Sequence, residues 1–331
     1  MDRLPIRHLA VPEIDRRLYD HFGVSRENDL LDLLGHDFRE IRPRYCGPAL
    51  ESIDSEHGVI SGVVMARAMQ AQFPAAALPL ADIERPADLD RFQFPLSRWY
   101  DYDSVAPQCA QHDSFAQILG YCEGDFINGL SGLRGVEQVL VDLATRAPVF
   151  VELVERRARE VHEHLRRALE AGGGRIDIVH LGEDLGSQNG LLLSPVTFMD
   201  LFGRHYARLI SLAHRNGALA MMHVCGSVVG MIPTLIDLGL DILDVVQTNA
   251  AGMELSALKR DFGHRLVFAG TMCVQKVLPF GTPAQVREEV RKRQHLFSDG
   301  GLIFGPSHQL QADTPLENIL EMYRAVGGLV R

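Results

Sequence analysis

Residues 266–305 read LVFAGTMCVQKVLPFGTPAQVREEVRKRQHLFSDGGLIFG and hold one complete structural period. LVFAG (266–270) and GLIFG (301–305) are apolar runs of strand length. Between them lies a helix opened by Thr282-Pro283-Ala284-Gln285. A threonine followed three residues later by glutamine is a capping-box pattern, and proline suits the first helical turn. Strands that are apolar throughout are covered on both faces, and a strand–helix–strand alternation pairs them in parallel.

The same period recurs on both sides of this stretch. FAQILGY (115–121), IDIVHL (176–181), ALAMMHV (218–224) and DILDVV (241–246) read as further strands. Helices are predicted over 135–144, 147–171, 194–217, about 227–238 and 254–262. The second carries Phe150, Leu153, Val154, Val161, Leu165 and Leu169 on one face, and Gly172-Gly173-Gly174 stops it. In the third, Ser194 is the expected N-cap, Pro195 opens the first turn and Gly217 follows the end. Thr314-Pro315-Leu316-Glu317 repeats the capping device after the last strand. DFREI (37–41) supplies a seventh strand and LPIR (4–7) an eighth. The expected fold is α/β, one closed (β/α)8 TIM barrel over residues 1–331 rather than a doubly wound sheet. In such barrels the chemistry sits at the C-terminal ends of the strands.

Composition limits the function. The chain has 331 residues, 46% of them hydrophobic, enough for a substantial core. No segment approaches the ~18 uninterrupted apolar residues of a membrane span. MDRLPIRHLAVPEIDRR (1–17) carries charges throughout and lacks the apolar stretch of a secretory signal. The five cysteines, 46, 109, 122, 225 and 273, are odd in number and scattered, as expected in a reducing cytoplasm without a disulfide framework. A net charge of −10 argues against a nucleic-acid partner.

The strand ends carry the candidate chemistry. In MMHVCGS (221–227), His223 and Cys225 are two apart on a strand, so they project to the same side. They form either a ligand pair or a packed histidine beside an inert core cysteine. His308, just past GLIFG, adds a third ligand or anchors its loop. In HLGEDLGSQNG (180–190), Glu183 is a further ligand or proton-transfer group, Asp184 a second carboxylate or a turn cap, and Gln188 a substrate-orienting amide. Asp244, Gln247 and Asn249 occupy another strand end, as substrate contacts or as loop anchors. Cys273 is either a substitute ligand or a small buried residue. Arg39, Arg42 and Arg44 are a basic group that either binds an anion or pairs with surface acids.

Taken together these blocks resemble the uroporphyrinogen decarboxylase superfamily. The resemblance rests on DRLPI (2–6), LRG (133–135), GEDLGSQ (182–188), LLLSP (191–195), HVCG (223–226), LPFGTP (278–283) and GPSHQLQADTPLENILEMY (305–323). It implies a (β/α)8 barrel, and it has two branches. True decarboxylases hold substrate carboxylates with an arginine-rich segment after the first strand, which Arg39, Arg42 and Arg44 do not reproduce. The other branch is similar to methylcobamide:coenzyme M methyltransferases. Its H-x-C signature matches His223 and Cys225, but its later cysteine is replaced by His308, a residue that decarboxylases share.

The resemblance therefore implies a zinc-dependent methyltransferase with His223, Cys225 and His308 as metal ligands. A corrinoid serves as co-substrate and a thiol or folate as methyl acceptor. Glu183, Asp184 and His308 are its expected catalytic residues; Gln188, Asp244, Gln247 and Asn249 its substrate contacts. A small-molecule substrate and a corrinoid protein are the expected partners, with no membrane or nucleic acid. A metal-free decarboxylase of a carboxylated substrate is the alternative, and a non-catalytic binding barrel the second.

Overall fold

In the computed structural model, which describes residues 3–47, 78–92 and 97–329, every predicted apolar run becomes an extended segment. The strands are β1 (Phe38–Ile41), β2 (Arg44–Tyr45), β3 (Tyr100–Asp101), β4 (Ala116–Gly124), β5 (Ile178–Gly182), β6 (Leu219–His223), β7 (Ile242–Asp244), β8 (Val267–Met272) and β9 (Leu302–Pro306). The chain divides into two compact units whose segments interleave. One comprises Met1–Arg39, Leu185–Leu192 and His223–Arg331; the other comprises Glu40–Asp184 and Leu193–Met222.

In the first unit β7, β8 and β9 pair in parallel, with Phe268 opposite both Leu243 and Leu302 and Met272 opposite Pro306. The predicted eighth strand lies beside β9. Ile6 bridges Phe304 in parallel, Arg7 N donates to Phe304 O at 2.8 Å, and Phe304 N donates to Pro5 O at 2.7 Å. On its other side Asp37 N donates to Ile6 O at 3.0 Å, just before β1. Leu4 and Ile6 are buried, as a strand covered on both faces requires.

In the second unit the order is β1-β4-β5-β6. β4 and β5 are parallel, with a register shift between Leu119 and Glu123 where Gly120 and Cys122 have positive φ. A two-residue antiparallel pair, β2 with β3, stands apart. The helix Pro148–Gly172 buries every apolar residue of the predicted face and ends at Gly173 (φ 59°). From β4 onward neighbouring strands are consecutive in the chain with helices between them, the winding the sequence predicts.

Three elements differ from expectation. The 194–217 helix keeps its Ser194 cap but passes through a π turn at Met199–Gly203 before continuing as Arg204–Arg215. The segment expected as a helix from about 227 is helical only over Ile232–Asp237. Thr282 caps Pro283–Leu296 with both arms of the capping box, whereas Thr314 caps nothing. The last helix, Leu316–Val326, starts one residue later than the motif implies, so Pro315 takes the cap position. Thr314 is fully buried and its hydroxyl meets no partner among the described residues.

These two threonines should respond oppositely in denaturant unfolding. Thr282→Ala removes a working cap and should cost about 1 kcal/mol. Thr314→Val removes a buried, unpaired hydroxyl and should leave stability unchanged or raise it by about 1 kcal/mol.

Candidate metal centre

β6 is an apolar run that ends on a polar residue. Ala220, Met221 and Met222 are fully buried, and the His223 side chain is 12% exposed. Val224 turns inward, and its N–H donates to Asp244 O. His223 and Cys225 consequently share a face, with Nε2 3.1 Å from Sγ. The chain then turns at Gly226 (φ 84°), where a Cβ would come within 2.6 Å of the Gly186 and Ser187 backbone. Only glycine fits there. Gln247 Oε1 accepts from Gly226 N at 2.5 Å, and Ser227 N donates to Ser187 O at 2.7 Å.

His308 follows β9. Its ring centroid stands 5.6 Å from that of His223, the planes at 70°. One ligand atom each from His223, Cys225 and His308 lies within 4.8 Å of the others. Behind His223, Asp244 Oδ2 lies 3.3 Å from Nδ1, and Asp244 Oδ1 is ion-paired with Arg7 Nη1 at 3.0 Å. Arg7 and Asp244 side chains are 4% and 1% exposed. A carboxylate at Nδ1 holds the proton there and leaves the Nε2 lone pair aimed at the ligand position. Two imidazoles and a thiolate with a carboxylate behind one ring are a zinc-type donor set. The residues fit the metal.

The structure brings only part of the predicted site together. His223, Cys225 and His308 form one group. Asp244 belongs with them, its Oδ2 standing behind His223 Nδ1. Gln247 holds the Gly226 turn. Gln188 is exposed and Asn249 half-buried, and both donate to the Gln275 side-chain carbonyl. Cys273 is buried and outside the group.

Glu183 and Asp184 lie in the other unit. Glu183 is 1% exposed, and its two oxygens accept from Phe126 N (2.9 Å), Ile127 N (3.0 Å) and the Tyr206 hydroxyl (2.9 Å). It therefore closes the N-terminus of the helix Phe126–Arg134. Burial, then the Asp125 charge, pushes the Glu183 carboxyl well above the ordinary range, against those three hydrogen bonds. Asp184 accepts from the Asn128 side chain at 2.7 Å and ties its loop to the same helix. Among the described residues Arg39 pairs with Asp32, Arg42 with Glu40 and Arg44 with Asp101.

Two residues escaped the sequence reading. Arg7 had a signal, since an arginine inside a strand-length apolar run needs a buried carboxylate. Tyr206 had none beyond lying on a predicted helix.

Parallel strands alternating with helices, and a His/Cys/His set where β6 and β9 end, define an α/β fold of the (β/α)8 TIM-barrel class with a candidate metal centre. The chain belongs to the uroporphyrinogen decarboxylase (URO-D) family, whose profile matches residues 63–329. Among solved structures it is similar to a methyltransferase from Methanosarcina mazei. The TM-score is 0.61 at 16% identity, over 98% of this chain and 94% of that chain. At this identity the likeness concerns the fold alone. No curated protein sequence is detectably similar to the chain. Among the described residues no helix is long and apolar enough to cross a membrane.

Glu183→Gln tests the capping role. The amide must turn its NH2 toward one of the two backbone N–H groups, leaving a buried donor unsatisfied. Unfolding free energy should fall by about 1–3 kcal/mol, while metal content stays that of the wild type by elemental analysis.

Proposed function

We propose that this protein is a zinc-dependent methyltransferase that moves a methyl group between a corrinoid and a thiol or folate acceptor. The observation that carries the reading is the convergence of one ligand atom each from His223, Cys225 and His308 within 4.8 Å, backed by the buried Asp244–Arg7 pair. His223, Cys225 and His308 would hold the zinc, which would supply a lowered thiol pKa and so a thiolate acceptor at neutral pH.

The chain's own residues do the rest. Asp244 holds the proton on Nδ1 of His223 and thereby presents Nε2 as a neutral donor. Cys225 is kept beside it by the Gly226 turn, which Gln247 and Ser187 fix through the backbone. His308 approaches from the end of a different strand, so the ligand set closes only when β6 and β9 are both in place. Gln188, Asn249 and Gln275 form a partly exposed amide group beyond the strand ends, suited to orienting an uncharged polar ligand. The corrinoid arrives free or on a carrier protein, in the cytoplasm.

A decarboxylase acting on a carboxylated substrate is the second reading, favoured by the family to which the chain belongs. Against a porphyrinogen with many carboxylates stands the pairing of Arg39, Arg42 and Arg44 with acids of this chain. An arginine already engaged by a carboxylate is poorly placed to bind another.

The purified protein should contain about one zinc per chain, the stoichiometry of a single three-ligand site. Cys225→Ser should abolish zinc retention, because a neutral hydroxyl replaces a thiolate. Asp244→Asn should lower zinc affinity by about 10–100-fold, the usual effect of removing a carboxylate behind a ligating histidine. Methyl transfer from methylcobalamin to a thiol is read by absorbance. Full activity in metal-free protein would refute the zinc reading. Uroporphyrinogen should not be decarboxylated, and coproporphyrinogen formed at an enzymatic rate would install the second reading instead.

A further inference from the structure

β8 ends in an unusual way. Gly270 and Thr271 both have positive φ, 81° and 95°. At Gly270 the residue type accounts for this, and a Cβ there would meet Pro306 O at 2.9 Å. Thr271 has no such freedom. A β-branched L-residue at that φ is a genuine outlier, and it persists only where its surroundings hold it.

What holds it is Arg293, on the outer helix Pro283–Leu296. Its Nε donates to the Thr271 hydroxyl at 3.1 Å and its Nη2 to the Thr271 carbonyl at 2.8 Å. The remaining nitrogen, Nη1, is anchored on the helix itself, at Glu289 O (2.9 Å) and Oε2 (2.7 Å). Arg293 is 5% exposed and Thr271 fully buried. One guanidinium thus grips the side chain and backbone of one strained residue.

The strained bend has a direct consequence one residue on. Met272 O accepts from Ser307 N at 2.7 Å, and the Ser307 hydroxyl accepts from Val274 N at 3.4 Å. Ser307 is buried, and the next residue is His308. The orientation of the Met272 carbonyl, set at Thr271, therefore fixes the backbone from which His308 leaves β9.

We infer that Arg293 is a positioning residue, which by gripping Thr271 sets the strand end that presents His308 as the third ligand. The inference rests on the metal reading of the site for its purpose, but not for its mechanics. Arg293 touches neither metal nor substrate. The residue arises on a helix predicted as amphipathic from its cap onward, where an arginine would ordinarily face solvent.

Two readouts test it. Zinc affinity is measured by competition with a chromogenic chelator. Amide hydrogen exchange over residues 305–312 is measured on the metal-free protein. In Arg293→Met, zinc affinity should fall by about ten-fold or more, as for other supports of a ligating side chain, and the Ser307 and His308 amides should exchange faster. Arg293→Lys keeps the charge and loses the two-point grip, so it should fall between the two. Thr271→Gly adopts the bend unaided. Alone it should bind zinc as the wild type does, and added to Arg293→Met it should recover most of the affinity and the protection. A general structural role for Arg293 would lower the melting temperature without this selective recovery.

Unchanged affinity and exchange in Arg293→Met would overturn the inference, as would a loss that Thr271→Gly leaves undiminished. If Arg293→Met does not fold, the Arg293→Lys and Thr271→Gly/Arg293→Lys pair decides by the same comparison. Wild-type protein that takes up no zinc would sink the functional reading, and the exchange comparison would still decide for or against Arg293.

Discussion

The ion pair between Arg7 and Asp244 organises the candidate site. Both side chains are almost completely removed from water, and a buried charge is tolerated only beside its opposite. Removing one partner of such a pair costs about 3–5 kcal/mol because the other is left uncompensated. Arg7 comes from the first extended segment, and Asp244 closes β7. The carboxylate has two oxygens; one meets the guanidinium and the other faces His223 Nδ1. The same interaction that binds an early segment of the chain to a later strand therefore also sets the tautomer of a candidate ligand histidine.

Near this pair two backbone segments of the first unit pack in close contact. Gly186 and Gly226 approach so closely that neither has room for a Cβ: one at Gly186 would lie 2.7 Å from Cys225 O. The Gln247 side chain then accepts from Gly226 N, and the Ser227 hydroxyl donates to Ala251 O at 2.6 Å. A ligand set placed on strand ends and locked by backbone contacts is preorganised, which favours metal affinity and holds donor geometry through a reaction. The partly exposed amides beyond it carry no charge, in keeping with a ligand recognised by hydrogen bonding more than by ionic attraction.

Two carboxylates that look alike in sequence have opposite fates. Glu183 and Asp244 each end an apolar strand, and each is buried. Asp244 is neutralised by a cation and serves a histidine. Glu183 meets a helix start, where unpaired N–H groups and the positive end of the helix dipole stabilise a carboxylate. Which of the two faces chemistry depends on what the neighbouring loop delivers, an arginine in one case and a helix N-terminus in the other.

The alternation of apolar runs with capped helices was legible because parallel strands and their covering helices leave periodic traces in one dimension. LPIR as a strand, the Thr282 capping box, the Ser194 cap and the shared face of His223 and Cys225 all follow from local rules. Thr314 shows their limit: the motif is present, but the helix starts at the next residue and the hydroxyl is left in the core. Local pattern also could not assign partners that lie on different elements. That Arg7 meets Asp244, that Asp244 meets His223, and that Arg293 grips Thr271 in β8 are decisions of tertiary structure. The physical reason is that burial, not spacing, determines what a charge must pair with, and burial exists only once the strands and helices have packed.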